Sequence, residues 1–135
     1  MTWCSRCDKI RIALIGCGGR GNGAAKDNLK ACENTEIVAV ADAFENKAKG
    51  AAKNFNVAPE KTFWGLDAYK KAIDCLGPND VAMLTNFAYF RPSQLEYAVK
   101  KGVNVFMEKS FAVDAPGIRR VLQTGQQATQ KNLKV

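Results

Sequence analysis

At 135 residues and 47% hydrophobic content, the chain suits one globular domain and can bury a substantial core. No apolar run approaches the roughly 20 residues that span a bilayer, and the opening Met1-Thr2-Trp3-Cys4-Ser5-Arg6-Cys7-Asp8 lacks the apolar stretch of a secretory signal, so a cytoplasmic protein with no membrane partner is expected. The net charge of +7 comes from lysines scattered along the chain, such as Lys26, Lys47, Lys70 and Lys100, which reads as a solvated surface and not as a nucleic-acid patch.

Residues 1–9 form a lead-in. Its Cys4-x-x-Cys7 is a single pair in a chain without histidine, so a four-ligand zinc site cannot be completed and no metal is expected. From Ile10 on, short apolar runs alternate with helical patterns. Ile10–Ile15 reads as a first strand ending in glycines. Ala25, Leu29 and Cys32 then mark the inner face of a helix from Asn22 to about Asn34. Glu36–Ala41 is a second strand, and Phe44, Ala48, Ala52 and Phe55 line a second helix. Lys61–Trp64 suggests a short third strand. Asp67 can cap a helix carrying Ala72, Ile73 and Leu76 inward, closed by Gly77-Pro78. Asp80–Phe87 reads as a fourth strand, Ser93–Lys101 as a helix, and Val103–Met107 as a fifth strand. Asp114 caps a last helix, with Pro116 in its first turn and Ile118, Val121 and Leu122 facing inward. Leu133-Lys134-Val135 resembles the start of a sixth strand. Cys17, Cys32 and Cys75 read as small apolar fillers.

This alternation predicts a doubly wound parallel sheet with helices on both faces, a Rossmann-type α/β fold truncated near its sixth strand, over residues 10–135. With strand order 3-2-1-4-5-6, such a truncation leaves strand five as an open edge, so self-association, a homo-oligomer, is expected.

Gly16-Cys17-Gly18-Gly19-Arg20-Gly21 fits G-x-G-x-x-G, and it follows a strand and opens a helix, the context in which the pattern carries meaning. Gly16 permits the tight turn, Gly18 lets a pyrophosphate approach the backbone, and Gly21 lets helix and strand pack closely. The phosphates then rest on N–H groups at the positive end of the helix. Asp42 ends the second strand about twenty residues past the last glycine, the place of the carboxylate that accepts from the adenosine ribose hydroxyls. That carboxylate repels a 2′-phosphate, and Ala43 and Phe44 bring no arginine to offset it, so NAD is expected ahead of NADP; helix capping is a compatible second role. Arg20 lies near the pyrophosphate or points to solvent. Thr85 and Asn86 stand at the carboxyl end of strand four, as ligands to the cofactor or simply as its polar termination. Glu108 and Lys109 close strand five, where a lysine can exchange a proton with a substrate oxygen during hydride transfer; an ion pair at the sheet margin explains the residues equally well.

These segments, together with Ala98-Val-Lys-Lys-Gly-Val-Asn-Val-Phe-Met-Glu-Lys109 and Val113-Asp-Ala-Pro-Gly117, resemble the Gfo/Idh/MocA family, the glucose–fructose oxidoreductase and inositol dehydrogenase group, over about residues 9–135. The resemblance implies an N-terminal cofactor domain joined to a larger C-terminal domain that binds substrate and often builds the oligomer. It also implies oxidation or reduction of a sugar, polyol or related hydroxyl compound. The family's Glu-Lys-Pro motif falls on Glu108-Lys109-Ser110, which makes Lys109 the candidate catalytic lysine and puts Glu108 near the nicotinamide ribose. Serine in place of proline frees φ and adds a backbone donor. The substrate domain, with the downstream residues that complete the family's site, is absent from these 135 residues. The expected function is therefore the NAD(P)-binding domain of an oxidoreductase that binds cofactor without useful turnover alone, a small-molecule substrate requiring a second domain. The alternatives are a non-catalytic NAD(H)-binding module and an interaction domain with a vestigial cofactor site.

Overall fold

The computed structural model describes residues 9–135. Five strands, β1 (Ile10–Ile15), β2 (Thr35–Asp42), β3 (Thr62–Trp64), β4 (Val81–Leu84) and β5 (Asn104–Met107), pair in parallel in the order β3-β2-β1-β4-β5. Five helices connect and follow them: α1 (Gly19–Ala31), α2 (Glu45–Phe55), α3 (Ala68–Asp74), α4 (Arg91–Lys100) and α5 (Ala115–Gln130). The predicted doubly wound sheet is present. Cys4 and Cys7 lie outside the described residues.

The continuous apolar runs follow from burial on both faces. Along β1, Ile12 and Leu14 point to one side and Ala13 and Ile15 to the other, because side chains alternate along a strand. The first side is covered by α1 and α2 through Ala24, Ala25, Ala51 and Ala52. The second is covered by α3, α4 and α5 through Ile73, Leu95, Val99 and Ala128. Each fully buried aliphatic side chain contributes about 1.5–3 kcal/mol. The small residues on the helices let them approach the sheet closely. On the α1 side the sheet is unevenly covered: over β4 and β5 an apolar groove of about 520 Å³ is lined by Ile12, Val81, Met83 and Phe106.

Several expectations are corrected. Helix α1 begins at Gly19, inside the glycine turn, and ends at Ala31, which leaves Cys32 exposed at its extended C-cap rather than in the core. Phe44 stands at the N-cap of α2 and is 59% exposed, so it lies off the helix's buried stripe. Asp67 makes no capping hydrogen bond; its carboxylate pairs instead with Lys70 at 3.0 Å. Strand β4 stops at Leu84, and Thr85, Asn86 and Phe87 lie in the loop beyond it. In α5 the buried row is Gly117, Thr124 and Ala128, where the helix packs on α4. Ile118 and Leu122 are rotated away from that row and are 41% and 64% exposed, while Asp114 caps the helix as expected, accepting from Gly117 N–H at 2.6 Å. Residues Leu133–Val135 form no strand. They lie along β5, where Val105 N–H donates to Lys134 O at 2.9 Å and Lys134 N–H donates to Asn104 Oδ1 at 2.9 Å, so the expected open edge is partly filled. No described helix is long and apolar enough to cross a membrane.

Candidate functional site

Parallel strands bring all their carboxyl ends to one edge of the sheet, and the residues singled out by pattern gather there. The chain leaves β1 through Gly16 at φ +98°, a conformation that side-chain-bearing residues rarely adopt. A Cβ on Gly16 would lie 2.5 Å from Asn86 N, and one on Gly21 would lie 1.8 Å from Gly16 O. These two glycines let helix, strand and the β4 loop pack. Gly18 and Gly19 differ: a Cβ on either would meet nothing within 4 Å. Gly18 is the N-cap of α1 and provides no side-chain cap, so the first N–H groups of the helix face an open, bare surface. Open backbone donors at the positive end of a helix make a cradle for an anion such as a diphosphate.

Asp42 fixes the second side. Its Oδ2 accepts from Cys17 N–H at 2.7 Å and its Oδ1 accepts from Phe44 N–H at 2.9 Å. Each carboxylate oxygen keeps lone-pair capacity for another donor. Asp42 therefore braces the glycine turn and faces the cleft with a set orientation. Beside it, burial followed by the charge of Asp42 pushes the Cys17 thiol up to about 12, which makes it an inert filler. Thr85 closes the third side: its N–H donates to Ile15 O at 2.8 Å, and its hydroxyl reaches Ile15 O at 3.0 Å and Gly16 O at 2.9 Å.

Together these groups bound a cleft of about 460 Å³ lined by Gly16, Gly18, Gly19, Arg20, Asp42, Thr85 and Asn86. Its apolar walls include Phe44, Leu66, Tyr69, Phe87 and Phe90, none of which pattern reasoning had singled out as site residues. Lys47 also lines the cleft, with its Nζ 5.4 Å from the centre of the Phe44 ring. Among the described residues, three buried side-chain polar atoms have no hydrogen-bond partner: Asn86 Oδ1, Gln94 Oε1 and Arg91 Nε. Two of them belong to cleft-lining residues. The bare cradle and the braced carboxylate fit a ligand with a diphosphate and ribose hydroxyls.

Glu108 and Lys109 lie just past β5 and, with Gly21, outside the cleft lining itself. Arg20 points neither to an isolated place in solvent nor into the cradle alone. Its guanidinium reaches across to Glu108 Oε1 at 2.5 Å, linking the glycine turn to the end of β5. That hydrogen bond holds the Glu108 carboxyl below the usual glutamate range. Lys109 is exposed, and the Lys109–Ser110 peptide is cis. Beneath this segment lies the fully buried Arg91, whose guanidinium donates to Glu108 O, to Ser110 O at 2.9 Å and to Asn86 O at 2.5 Å. Burial holds the Arg91 guanidinium below the ordinary arginine value. Sequence reasoning missed this residue. A signal existed: Arg91 stands at the helical spacing of Leu95 and Ala98, a charge at a position of the inward stripe. No cluster of metal-binding side chains occurs among the described residues.

A family profile described as an oxidoreductase family with an NAD-binding Rossmann fold matches residues 10–134. Inositol 2-dehydrogenase of Cereibacter sphaeroides is 25% identical over 114 residues, covering 84% of this chain and 32% of that protein. The apo scyllo-inositol dehydrogenase structure from Lactobacillus casei superposes with a TM-score of 0.77 at 23% identity, over 94% of this chain and 35% of that one. A 3-ketoreductase from Actinomadura kijaniata, in complex with TDP-benzene and NADP, gives a TM-score of 0.71 at 22% identity over 93% and 36%. At these identities the two structures show the fold. The chain spans about a third of the length of the relatives it matches. It belongs to the Gfo/Idh/MocA oxidoreductase family, of which it represents the NAD-binding Rossmann domain.

Proposed function

We propose that the cleft binds NAD in preference to NADP and serves hydride transfer to or from a sugar, polyol or related hydroxyl compound. The observation that carries this reading is Asp42: a carboxylate braced by two backbone N–H groups, facing the cleft beside an open helix N-terminus. Gly18, Gly19 and the first turn of α1 hold the diphosphate, and Asp42 accepts from the adenosine ribose. Its negative charge disfavours a 2′-phosphate, and Lys47 is the nearby cation that opposes this preference. Thr85 and Asn86 form the floor under the middle of the cofactor, and Glu108 stands at the nicotinamide end.

The bound dinucleotide supplies the hydride donor or acceptor. Lys109 holds or moves the proton at its Nζ, donating it to a substrate oxygen or taking it away. Orientation of the reacting atoms, at about 3–3.5 Å, is worth several kcal/mol of barrier lowering. The residues of the cleft hold the cofactor side of that encounter. The substrate side is the part for which these residues show no wall, so the 135-residue chain is expected to bind cofactor without useful turnover.

Titration of NADH and NADPH by fluorescence tests the reading. Wild type is expected to bind NADH more tightly than NADPH. Asp42→Ala should weaken NADH binding by about 1–3 kcal/mol, the size of paired hydrogen bonds to a ribose. Asp42→Asn keeps an acceptor for Phe44 N–H but turns an amide NH2 toward Cys17 N–H, so it removes the charge and half the brace and should fall between wild type and Asp42→Ala. Equal NADH affinity in all three proteins would remove Asp42 from the site. Robust turnover of sugars or inositols by the chain alone, lost in Lys109→Ala, would show a complete site built by another route.

A further inference from the structure

We infer that Arg91 is the positioning residue for the reaction end of the cleft, holding the backbone around Lys109 in place against the backbone of Asn86. This rests on the reading that Lys109 and Glu108 serve at that end. A buried guanidinium is costly unless its donors are used. Among the described residues Arg91 has no carboxylate in hydrogen-bond contact; its donors go to main-chain oxygens instead, those of Glu108, Ser110 and Asn86.

The choice of oxygens is informative. Two of them belong to the residues immediately before and after Lys109, so the backbone of Lys109 is pinned on both flanks while its side chain stays exposed. The third belongs to the loop after β4, which lines the cleft. One side chain therefore joins the two loops that follow β4 and β5. Arg91 itself rests on a firm base, because it opens α4, whose Leu95, Ala98 and Val99 are buried in the core. Arginine spreads its donors over a planar fork that reaches carbonyls set apart on two loops, whereas a lysine presents its three donors from one nitrogen. Positioning of this kind matters because small displacements of a reacting group have large effects on rate.

The test uses the full chain with Arg91→Lys and Arg91→Met, and compares NADH with ADP. ADP needs only the cradle and Asp42, whereas NADH also needs the far end. The expected result for Arg91→Lys is a folded protein whose NADH affinity falls on the order of tenfold, the size of one charge-assisted hydrogen bond, while ADP affinity stays within about twofold. Amide hydrogen exchange should rise at residues 86–90 and 107–112 and not elsewhere. Equal losses for NADH and ADP would make Arg91 a general structural residue and overturn the inference, as would no loss for either. Unfolding of both variants would likewise make it an anchor of the fold. Should wild type bind neither nucleotide, the cofactor reading fails, and the exchange measurement alone decides whether Arg91 holds the two loops. Unchanged exchange there in a folded variant overturns it.

Discussion

The two ends of the sheet are built on opposite plans. At the amino ends of β1 and β4, buried Asp80 accepts from Arg11 N–H at 3.0 Å, from Arg11 Nε at 3.1 Å and Nη2 at 3.0 Å, and from Gly77 N–H at 2.7 Å. Its carboxylate takes four donors from the protein itself. At the carboxyl ends, Asn86, Gln94 and Arg91 each keep a buried polar atom without a partner. Each such atom costs about 1–3 kcal/mol relative to a satisfied one. The same strands thus run from an end that is closed on itself to an end with unfilled valences, and such departures from local consistency cluster where a fold does chemistry. One end satisfies its own polar groups, and the other carries the candidate site.

Three measurements test that contrast. The largest effect is expected from Gly21→Ala. Its Cβ would lie 1.8 Å from Gly16 O and 2.7 Å from Thr85 Oγ1, so backbone must move, at a cost of about 3 kcal/mol or more. Gly18→Ala, with open space around it, should leave stability within about 0.5 kcal/mol yet weaken NADH binding. Urea unfolding and NADH titration of the two variants give the comparison, and equal destabilisation by both would erase the distinction between packing and cradle glycines.

Next in size is Asp80→Ala at the closed end. Loss of the shared acceptor should lower stability by about 2–3 kcal/mol, with NADH affinity unchanged in the folded fraction. A parallel fall in affinity would mean that the two ends are coupled. The smallest effect concerns pH. Arg20 holds the folded Glu108 carboxyl below its unfolded value of about 4.3, so the link favours the folded arrangement above that pH and is lost as pH falls through the lower, folded value. The carboxyl carbon signal of Glu108, followed by NMR, should titrate at higher pH in Arg20→Ala than in wild type. The difference should shrink in high salt because Arg20 is exposed. An identical midpoint in both proteins would show that the crossing from turn to strand end is not made in solution.

What was legible in the sequence was local. The glycine turn, Asp42 and the strand–helix alternation are written within stretches of a few residues, where spacing and residue type carry the meaning. On α5 the expected Val121 packs on the core, whereas Ile118 and Leu122 are exposed and Gly117, Thr124 and Ala128 are buried in their place, a choice set by the neighbouring packing rather than by apolarity. The Asp80–Arg11 pairing joins residues 69 positions apart, and no pattern announces it. Arg91 was hidden more deeply, since its partners are carbonyl oxygens, which every residue has and no residue type distinguishes. The walls of the cleft, Phe44, Leu66 and Phe87, are exposed aromatic and aliphatic side chains whose common location arises only when three loops converge.

The short contact between residue 134 and the margin of β5 bears on how this protein behaves among many copies of itself. Asn104 N–H donates to Asp80 O and Glu108 N–H to Leu84 O, so the backbone N–H groups of the even-numbered residues point to β4 and those of Val105 and Met107 point to the open edge. The Val105 N–H is already engaged by Lys134 O. An incoming strand would find a single outward residue, Met107, with its N–H still to offer. Templated growth of a sheet needs several alternate pairings in succession. At this edge residues 133–135 interrupt that ladder before a stranger can begin it, so association at high concentration should avoid strand pairing onto β5.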